Sequence, residues 1–262
     1  FKHTYLQIFP RNCQTLKSHD DGEFDKLTRV LLFLQPDLLT AWNIRRKLIK
    51  KRSLKILYEI KFSELVLQLK PKSSSTFNYR EWLFKNLSLY VPITEFNPRS
   101  EEKIQYELDL TLKCSQKYDR NYYAWSHRAW IIRELTVEYS NENLYSLICQ
   151  DLNKTKSYLE SNISDYSCCN YRHYLFKKIN NMSIPYEERY WKLLINELQF
   201  IDEMLKIYNE KESFVLHRRA VLSFIFQFRP NALSLCETVQ KTLSKFNQNN
   251  LDIFSSKSIQ FL

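Results

Sequence analysis

An all-α fold, an α–α superhelix (solenoid) of about five helical-pair repeats, is predicted by three features of the 262-residue sequence. A Trp-x-x-Arg frame recurs as Trp42 with Arg45, Phe77 with Arg80, Trp125 with Arg128, Cys169 with Arg172 and Val215 with Arg218. The aromatic slot decays along the series while the arginine persists. The arginines lie 35, 48, 44 and 46 residues apart, a period at which each unit is too small to bury its apolar face alone and must stack on its neighbours. Glycine occurs once, at Gly22, which leaves almost no residue suited to the φ > 0 positions of tight β-hairpins. Apolar residues instead return at three- and four-residue steps, as from Leu54 to Leu69 and from Tyr190 to Tyr208, the period of an amphipathic helix.

Taken in order, residues 1–22 show no sustained period and are left without an element; Pro10 and the polar run Ser18 to Gly22 read as loop. A helical-repeat domain is expected over residues 23–246. Its first helix carries Phe24, Leu27, Val30, Leu31 and Leu34 as the apolar stripe and stops at Pro36, after which Asp37 is the expected N-cap of the helix bearing Trp42 and Arg45. A second pair is expected over 54–69 and 73–90, with Pro71 in the turn and Ser73 as N-cap. Pro92 and Pro98 then break helix in an inter-repeat insertion, which explains the longest arginine spacing. Helices follow over 100–118 and 121–139, capped at Asn121, and over 142–161 and 165–180, capped at Asp165. Pro185 precedes a helix to about Tyr208, the Val215 copy opens another near Glu212, Pro230 starts the last, and 247–262 forms a tail. Every motif copy thus opens the second helix of a pair. Stacked antiparallel pairs align these starts, with their free N–H groups and positive dipole ends, along one edge.

Composition bounds the chemistry. The formal charge of +10 points to an acidic partner, a phosphorylated ligand or nucleic acid, but no arginine-rich or base-stacking aromatic stripe favours nucleic acid, and none is expected to bind. The densest basic run, Lys50-Lys51-Arg52, suits a solvated turn. Six cysteines (Cys13, Cys114, Cys149, Cys168, Cys169, Cys236) show neither paired spacing nor a nearby histidine set, and read as reduced core thiols without a metal. No apolar run approaches the ~20 residues of a membrane span, so no integral membrane association and a cytoplasmic location are expected. The first residue is Phe1 rather than Met, and an upstream segment is allowed for.

The best copy runs Asn121-Tyr122-Tyr123-Ala124-Trp125-Ser126-His127-Arg128-Ala129-Trp130. Trp125 and Trp130 fit the packing between stacked helices, and Arg128 fits a bond to neighbouring carbonyls or carboxylates. This stretch resembles the repeat of protein prenyltransferase α subunits, and the five copies extend that resemblance over about residues 24–228. The segments Pro36 to Asn43, Asn121 to Arg128 and Ser164 to Arg172 resemble the α-subunit-repeat-containing branch of that family, which supplies the α subunit of a third type of protein geranylgeranyltransferase.

The resemblance implies a crescent of helical pairs around a separate β subunit, of the Rab geranylgeranyltransferase type, which holds the catalytic zinc and the isoprenoid. This chain would bind no cofactor itself. With its partner it would help transfer geranylgeranyl from its diphosphate to a cysteine of a protein substrate. In farnesyl- and type I geranylgeranyltransferases the α subunit places a lysine five residues before the second-copy aromatic and a Tyr-His pair after the third-copy asparagine. By position these are Lys72, Tyr122 and Tyr123, with tyrosine standing where the family has histidine. Lys72 and Tyr122 are the implied catalytic residues, and all three lie on the implied diphosphate edge. The alternative is a non-catalytic scaffold offering a concave surface to protein partners.

Overall fold

The computed structural model describes residues 20–182, 187–209 and 211–228. These residues form ten α-helices and no strand: α1 (Asp21–Leu34), α2 (Leu39–Lys50), α3 (Ile56–Leu69), α4 (Ser74–Asn86), α5 (Glu101–Lys117), α6 (Tyr122–Glu134), α7 (Asn141–Ser161), α8 (Tyr166–Asn180), α9 (Glu187–Ile207) and α10 (Glu212–Phe228). A 3₁₀ turn, Leu87–Leu89, follows α4. The expectations for Pro185, Pro230, the 247–262 tail, Cys13 and Cys236 fall outside the described residues. Two compact units divide the chain, Phe1–Glu138 and Tyr139–Leu262. The first holds the pairs α1–α2, α3–α4 and α5–α6, and the second holds α7–α8 and α9–α10.

The repeat register is strict. In each of α2, α4, α6, α8 and α10 the aromatic slot is the fourth helical residue and the arginine the seventh. Three of the expected caps form: Ser73 Oγ accepts from Thr76 N at 3.2 Å, Asn121 Oδ1 from Ala124 N at 3.2 Å, and Asp165 Oδ1 from Ser167 N and Cys168 N at 3.0 Å. Each supplies a partner to an N–H that the first helical turn leaves open.

Asp37 is a correction. The N-cap of α2 is Leu38, with no side-chain bond, and Asp37 instead accepts from Ser73 Oγ at 2.9 Å and Ser75 N at 3.0 Å. It caps α4, the corresponding helix of the next repeat. A second correction concerns α1, which already includes Asp21 and Gly22, is capped by Asp20, and turns three of its five stripe residues outward while Phe24 and Leu31 are half-buried. Val30 and Leu34 are 60% and 64% exposed and Leu27 is also exposed, whereas Thr28 and Leu32 are fully buried. The cause is Arg45, whose guanidinium reaches α1 and needs oxygen there. It donates to Thr28 Oγ1 at 2.7 Å and to Asp25 O at 3.2 Å, so the face bearing those oxygens turns inward.

Between α3–α4 and α5–α6, Leu67, Phe77, Leu110, Cys114 and Ala124 close into one buried cluster. The short side chains there let the helices approach while Phe77 fills the gap, which is the close packing expected of a core. Cys114, Cys168 and Cys169 are buried, Cys149 is half-buried, and none of the four is in a disulfide. Burial pushes the Cys114 and Cys169 thiols up to about 12, so both stay protonated and unreactive.

Candidate functional site

Four of the motif arginines occupy one repeating socket. Arg45, Arg80, Arg128 and Arg172 are all buried to 1% exposure or less. In each, Nη1 donates to a hydroxyl 17 residues earlier, on the first helix of the same pair: Thr28 at 2.7 Å, Ser63 at 2.9 Å, Thr111 at 2.8 Å and Thr155 at 2.6 Å. The same nitrogen donates to the carbonyl 20 residues earlier, of Asp25, Ile60, Leu108 and Leu152. For Arg45, Arg80 and Arg172 the rest of the fork closes on a carboxylate of the following repeat. Arg45 Nε meets Glu59, Arg80 Nε meets Glu107 and Arg172 Nε meets Glu197, each at 2.7 Å. Such bidentate pairing is what the planar guanidinium favours.

The residue before the next motif arginine completes the joint. Tyr79 Oη–H donates to Glu59 at 2.7 Å, His127 Nε2 lies 3.9 Å from Glu107, and His217 Nε2–H donates to Glu197 at 2.6 Å. Tyr171 likewise donates to Asp151. One carboxylate is therefore held by two successive repeats. Burial alone would raise Glu107, but the charge and paired hydrogen bonds of Arg80 more than offset it and hold that carboxyl down to about 2. Glu197 is lowered in the same way, with burial opposed by Arg172 and His217. These carboxylates were not singled out from sequence. The 17-residue step from a Ser or Thr to each of these four arginines is a signal that could have exposed the socket.

The fifth copy departs from the pattern. Arg218 pairs with Asp202 of α9 at 2.8 Å, and the position 17 before it is Ile201, which offers no hydroxyl. Val215 in the aromatic slot is only half-buried, and the fully buried aromatic is its neighbour Phe214. Trp42, Phe77, Trp125 and Trp130 are each 2% exposed or less, so the aromatics of the first three copies serve packing.

Lys72, Tyr122 and Tyr123 meet solvent on one edge. Lys72 is exposed in the turn between α3 and α4, and its Nζ sits 4.5 Å from the centroid of the Tyr118 ring, within cation–π range. Tyr122 is the first residue of α6 and 63% exposed; Tyr123 is 38% exposed, and their rings meet edge to face at 5.6 Å. Asn121 ties these parts together: while capping α6, it donates through Nδ2 to the carbonyl of Pro71 at 2.6 Å. The neighbour of Lys72 and the neighbour of Tyr122 are thereby bonded. Arg120 closes the preceding turn at φ 53°, a left-handed conformation that a glycine-poor chain must fill with a side-chain-bearing residue. Helix starts are also joined in the second unit, where Ser213 donates to Ile163 O and Tyr166 Oη–H to Glu212 at 2.7 Å.

The second unit contains a buried relay. His217 gives its Nε2 proton to Glu197, so its Nδ1 is the acceptor for His173 Nε2–H at 2.6 Å. Burial foremost, then the neighbouring His217, depresses His173 to about 3, with Arg172 acting in the same direction and Glu197 against it. The folded pKa lies below the unfolded value of about 6.5. Stability from this group is therefore complete above pH ~6.5 and declines as pH falls toward 3, by up to ~1.4 kcal/mol per pH unit. Urea unfolding at pH 7 and pH 5 of wild type and His173→Phe should show wild type losing about 1–2 kcal/mol more than the variant. Equal losses would mean that His173 protonates freely in the fold.

Among the described residues no group of three or more His, Cys, Asp or Glu side chains could hold a metal ion, and no helix is long and apolar enough to cross a membrane. The protein prenyltransferase alpha subunit repeat matches residues 56–87, 104–135 and 148–179, which are the α3–α4, α5–α6 and α7–α8 pairs. The human protein prenyltransferase alpha subunit repeat-containing protein 1 is 30% identical over 194 residues, 70% of this chain and 46% of that protein. The bovine geranylgeranyl transferase type-2 subunit alpha is 24% identical over 230 residues, 81% of this chain and 37% of that one. A solved structure, Candida albicans protein geranylgeranyltransferase-I complexed with GGPP, aligns with 91% of this chain and 75% of that chain at 17% identity and a TM-score of 0.48. The chain spans about half the length of the curated relatives it matches first. Its arginine-centred repeats, matched one helical pair at a time, make this chain a member of the protein prenyltransferase alpha subunit repeat family.

Proposed function

We propose that this chain is the α subunit of a heterodimeric protein geranylgeranyltransferase, active only with a β subunit of the Rab geranylgeranyltransferase type that holds the zinc and the isoprenoid. The observation that supports this most is the Asn121–Pro71 bond, which keeps Lys72 and Tyr122 on one solvent-facing edge. When the thiolate sulfur of the protein substrate bonds to the terminal carbon of the geranylgeranyl group, the carbon–oxygen bond breaks and diphosphate leaves with the electron pair. The Lys72 ammonium and the Tyr122 phenol can donate hydrogen bonds to that growing charge from positions fixed before the reaction. Tyr123 can donate from its hydroxyl but carries no positive charge where family members have histidine, so the edge is less cationic.

Co-purification from the native cells should bring a prenyltransferase β subunit in a one-to-one complex. In that heterodimer Lys72→Ala and Tyr122→Phe should each slow single-turnover transfer by about 10- to 100-fold, chiefly in kcat, with assembly intact. Both side chains are exposed and are not needed to form the repeats. Wild-type transfer by both variants would leave this chain the part of a scaffold that holds the β subunit and recruits its substrate.

A further inference from the structure

On the edge opposite Lys72, the first unit carries a cleft of about 720 Å³. Helix α3 begins at this cleft and ends at the Lys72 turn; the lining stops at Glu64, five residues or roughly 8 Å of helix before Leu69. One wall is the Arg52–Lys55 turn and the start of α3; the other is the inter-repeat insertion, including Tyr90, Val91 and Phe96, with Lys103 and Tyr106 of α5. The proline-broken insertion and the basic run ending in Arg52 are thereby brought face to face.

The electrostatics of the cleft lean positive by one charge. Four cations line it, Arg52, Lys55, Lys61 and Lys103, against three carboxylates, Glu64, Glu95 and Glu107. Of the carboxylates, Glu107 is neutralised by Arg80, while Glu64 accepts only from the neutral Tyr106 hydroxyl at 2.6 Å. Of the cations, Lys103 pairs with Glu102 at 3.1 Å, while Arg52, Lys55 and Lys61 pair with no carboxylate among the described residues. Three cations are also poised over aromatic rings within the cleft: Arg52 over Tyr90 at 5.8 Å, Lys55 over Tyr58 at 5.9 Å and Lys103 over Phe96 at 5.7 Å. Such placement holds charge above an apolar floor. The lining follows Leu54, Lys55 and then α3 from Ile56 to Glu64, about 12 Å of helix, a length that accommodates about four residues of extended chain and is far longer than a single phosphate or carboxylate ion requires.

From this length, the apolar floor and the surplus of unpaired cations, we propose that the cleft binds an acidic, extended segment of a partner protein, with one aliphatic or aromatic side chain seated between Leu57, Val91 and Phe96. The surface is separate from the proposed transfer edge, and binding here does not depend on prenyl transfer. It provides a docking point by which a protein can be held while another part of it is presented elsewhere, and complementary charge gives such a contact fast, salt-sensitive association.

The test is a selection of random dodecapeptides on phage against the full chain, in its heterodimer if it purifies as one, with Lys55→Glu/Lys61→Glu as counter-selection. Both lysines are exposed, and an unchanged melting temperature establishes that the variant is folded. Selected peptides should carry at least two carboxylates beside an apolar residue. By fluorescence anisotropy they should bind at least tenfold more weakly to the double variant, to Phe96→Ala, and to wild type when salt rises from 50 to 300 mM. Selected peptides without carboxylates, peptides that bind wild type and variant alike, or a selection that yields none, would each overturn the proposal. Sedimentation with phosphatidylcholine–phosphatidylserine vesicles that is lost in Lys55→Glu/Lys61→Glu would also overturn it, by assigning the cleft to a membrane surface.

Discussion

Arg80→Ala is expected to destabilise the protein by about 3–5 kcal/mol, because it leaves the Glu107 carboxylate buried without its counter-charge. The Arg80 and Glu107 side chains are 0% and 4% exposed. Removing the guanidinium also strips partners from Ile60 O and Ser63 Oγ on α3. Glu107 would no longer be held low, its carboxyl would tend to protonate, and the joint between the second and third repeats would lose its centre. Replacing both charges with apolar groups of similar volume, as in Arg80→Met with Glu107→Leu, should recover much of the loss, since paired desolvation is relieved together. Recovery should be incomplete because Ser63 Oγ loses the donor it accepts from and keeps only its own bond to the Ile60 carbonyl at 2.9 Å. Urea midpoints for the two single variants and the double one close a mutant cycle. A single-variant cost below about 1 kcal/mol, comparable with an exposed pair, would show that the socket does not hold the repeats together.

The helical period, the motif register and three of the expected caps were legible because each depends on residues a few positions apart. The sockets were half legible. The hydroxyl lies 17 residues before its arginine in four copies, since it sits within the same helical pair and the pair length is constant there. The carboxylate follows by 14, 27 or 25 residues, since the chain between pairs varies and the insertion with Pro92 and Pro98 lengthens one of the intervals. No fixed spacing could reveal it. Asp37 was misread for a related reason. Its local position suits a cap of α2, but the free N–H of Ser75 lies beside it only after the repeats have stacked. The α1 stripe failed because periodicity identifies an apolar face without saying whether a buried guanidinium will demand oxygen instead. At the candidate site, the proximity of Lys72 to Tyr122 depends on Asn121 reaching Pro71 across 50 residues, a contact that exists only in the folded stack.

Trp42→Ala should cost about 3–5 kcal/mol, the range for truncating a buried aromatic, and Trp125→Ala, at 2% exposure, should fall in the same range. What separates the tryptophans is the fate of the indole N–H. Trp42 is fully buried and donates to the Pro36 carbonyl at 2.7 Å, with its ring 4.3 Å from that of Tyr79 and 5.9 Å from that of Phe62. It thereby fixes the turn between α1 and α2 as well as filling the space before α4. Trp130 stacks on His127 at 5.2 Å and meets Phe84 at 6.3 Å, but its buried Nε1–H has no hydrogen-bond partner among the described residues. Trp42→Phe should therefore lose packing and also orphan a carbonyl, costing about 2–3 kcal/mol. Trp130→Phe also loses ring volume but removes an unsatisfied buried donor, and these effects oppose each other, so its cost should stay within about 1 kcal/mol. Urea midpoints for the four variants order them directly. If Trp130→Phe proved as damaging as Trp42→Phe, the indole N–H would not be what distinguishes the two positions, and ring volume alone would decide how these repeats tolerate change.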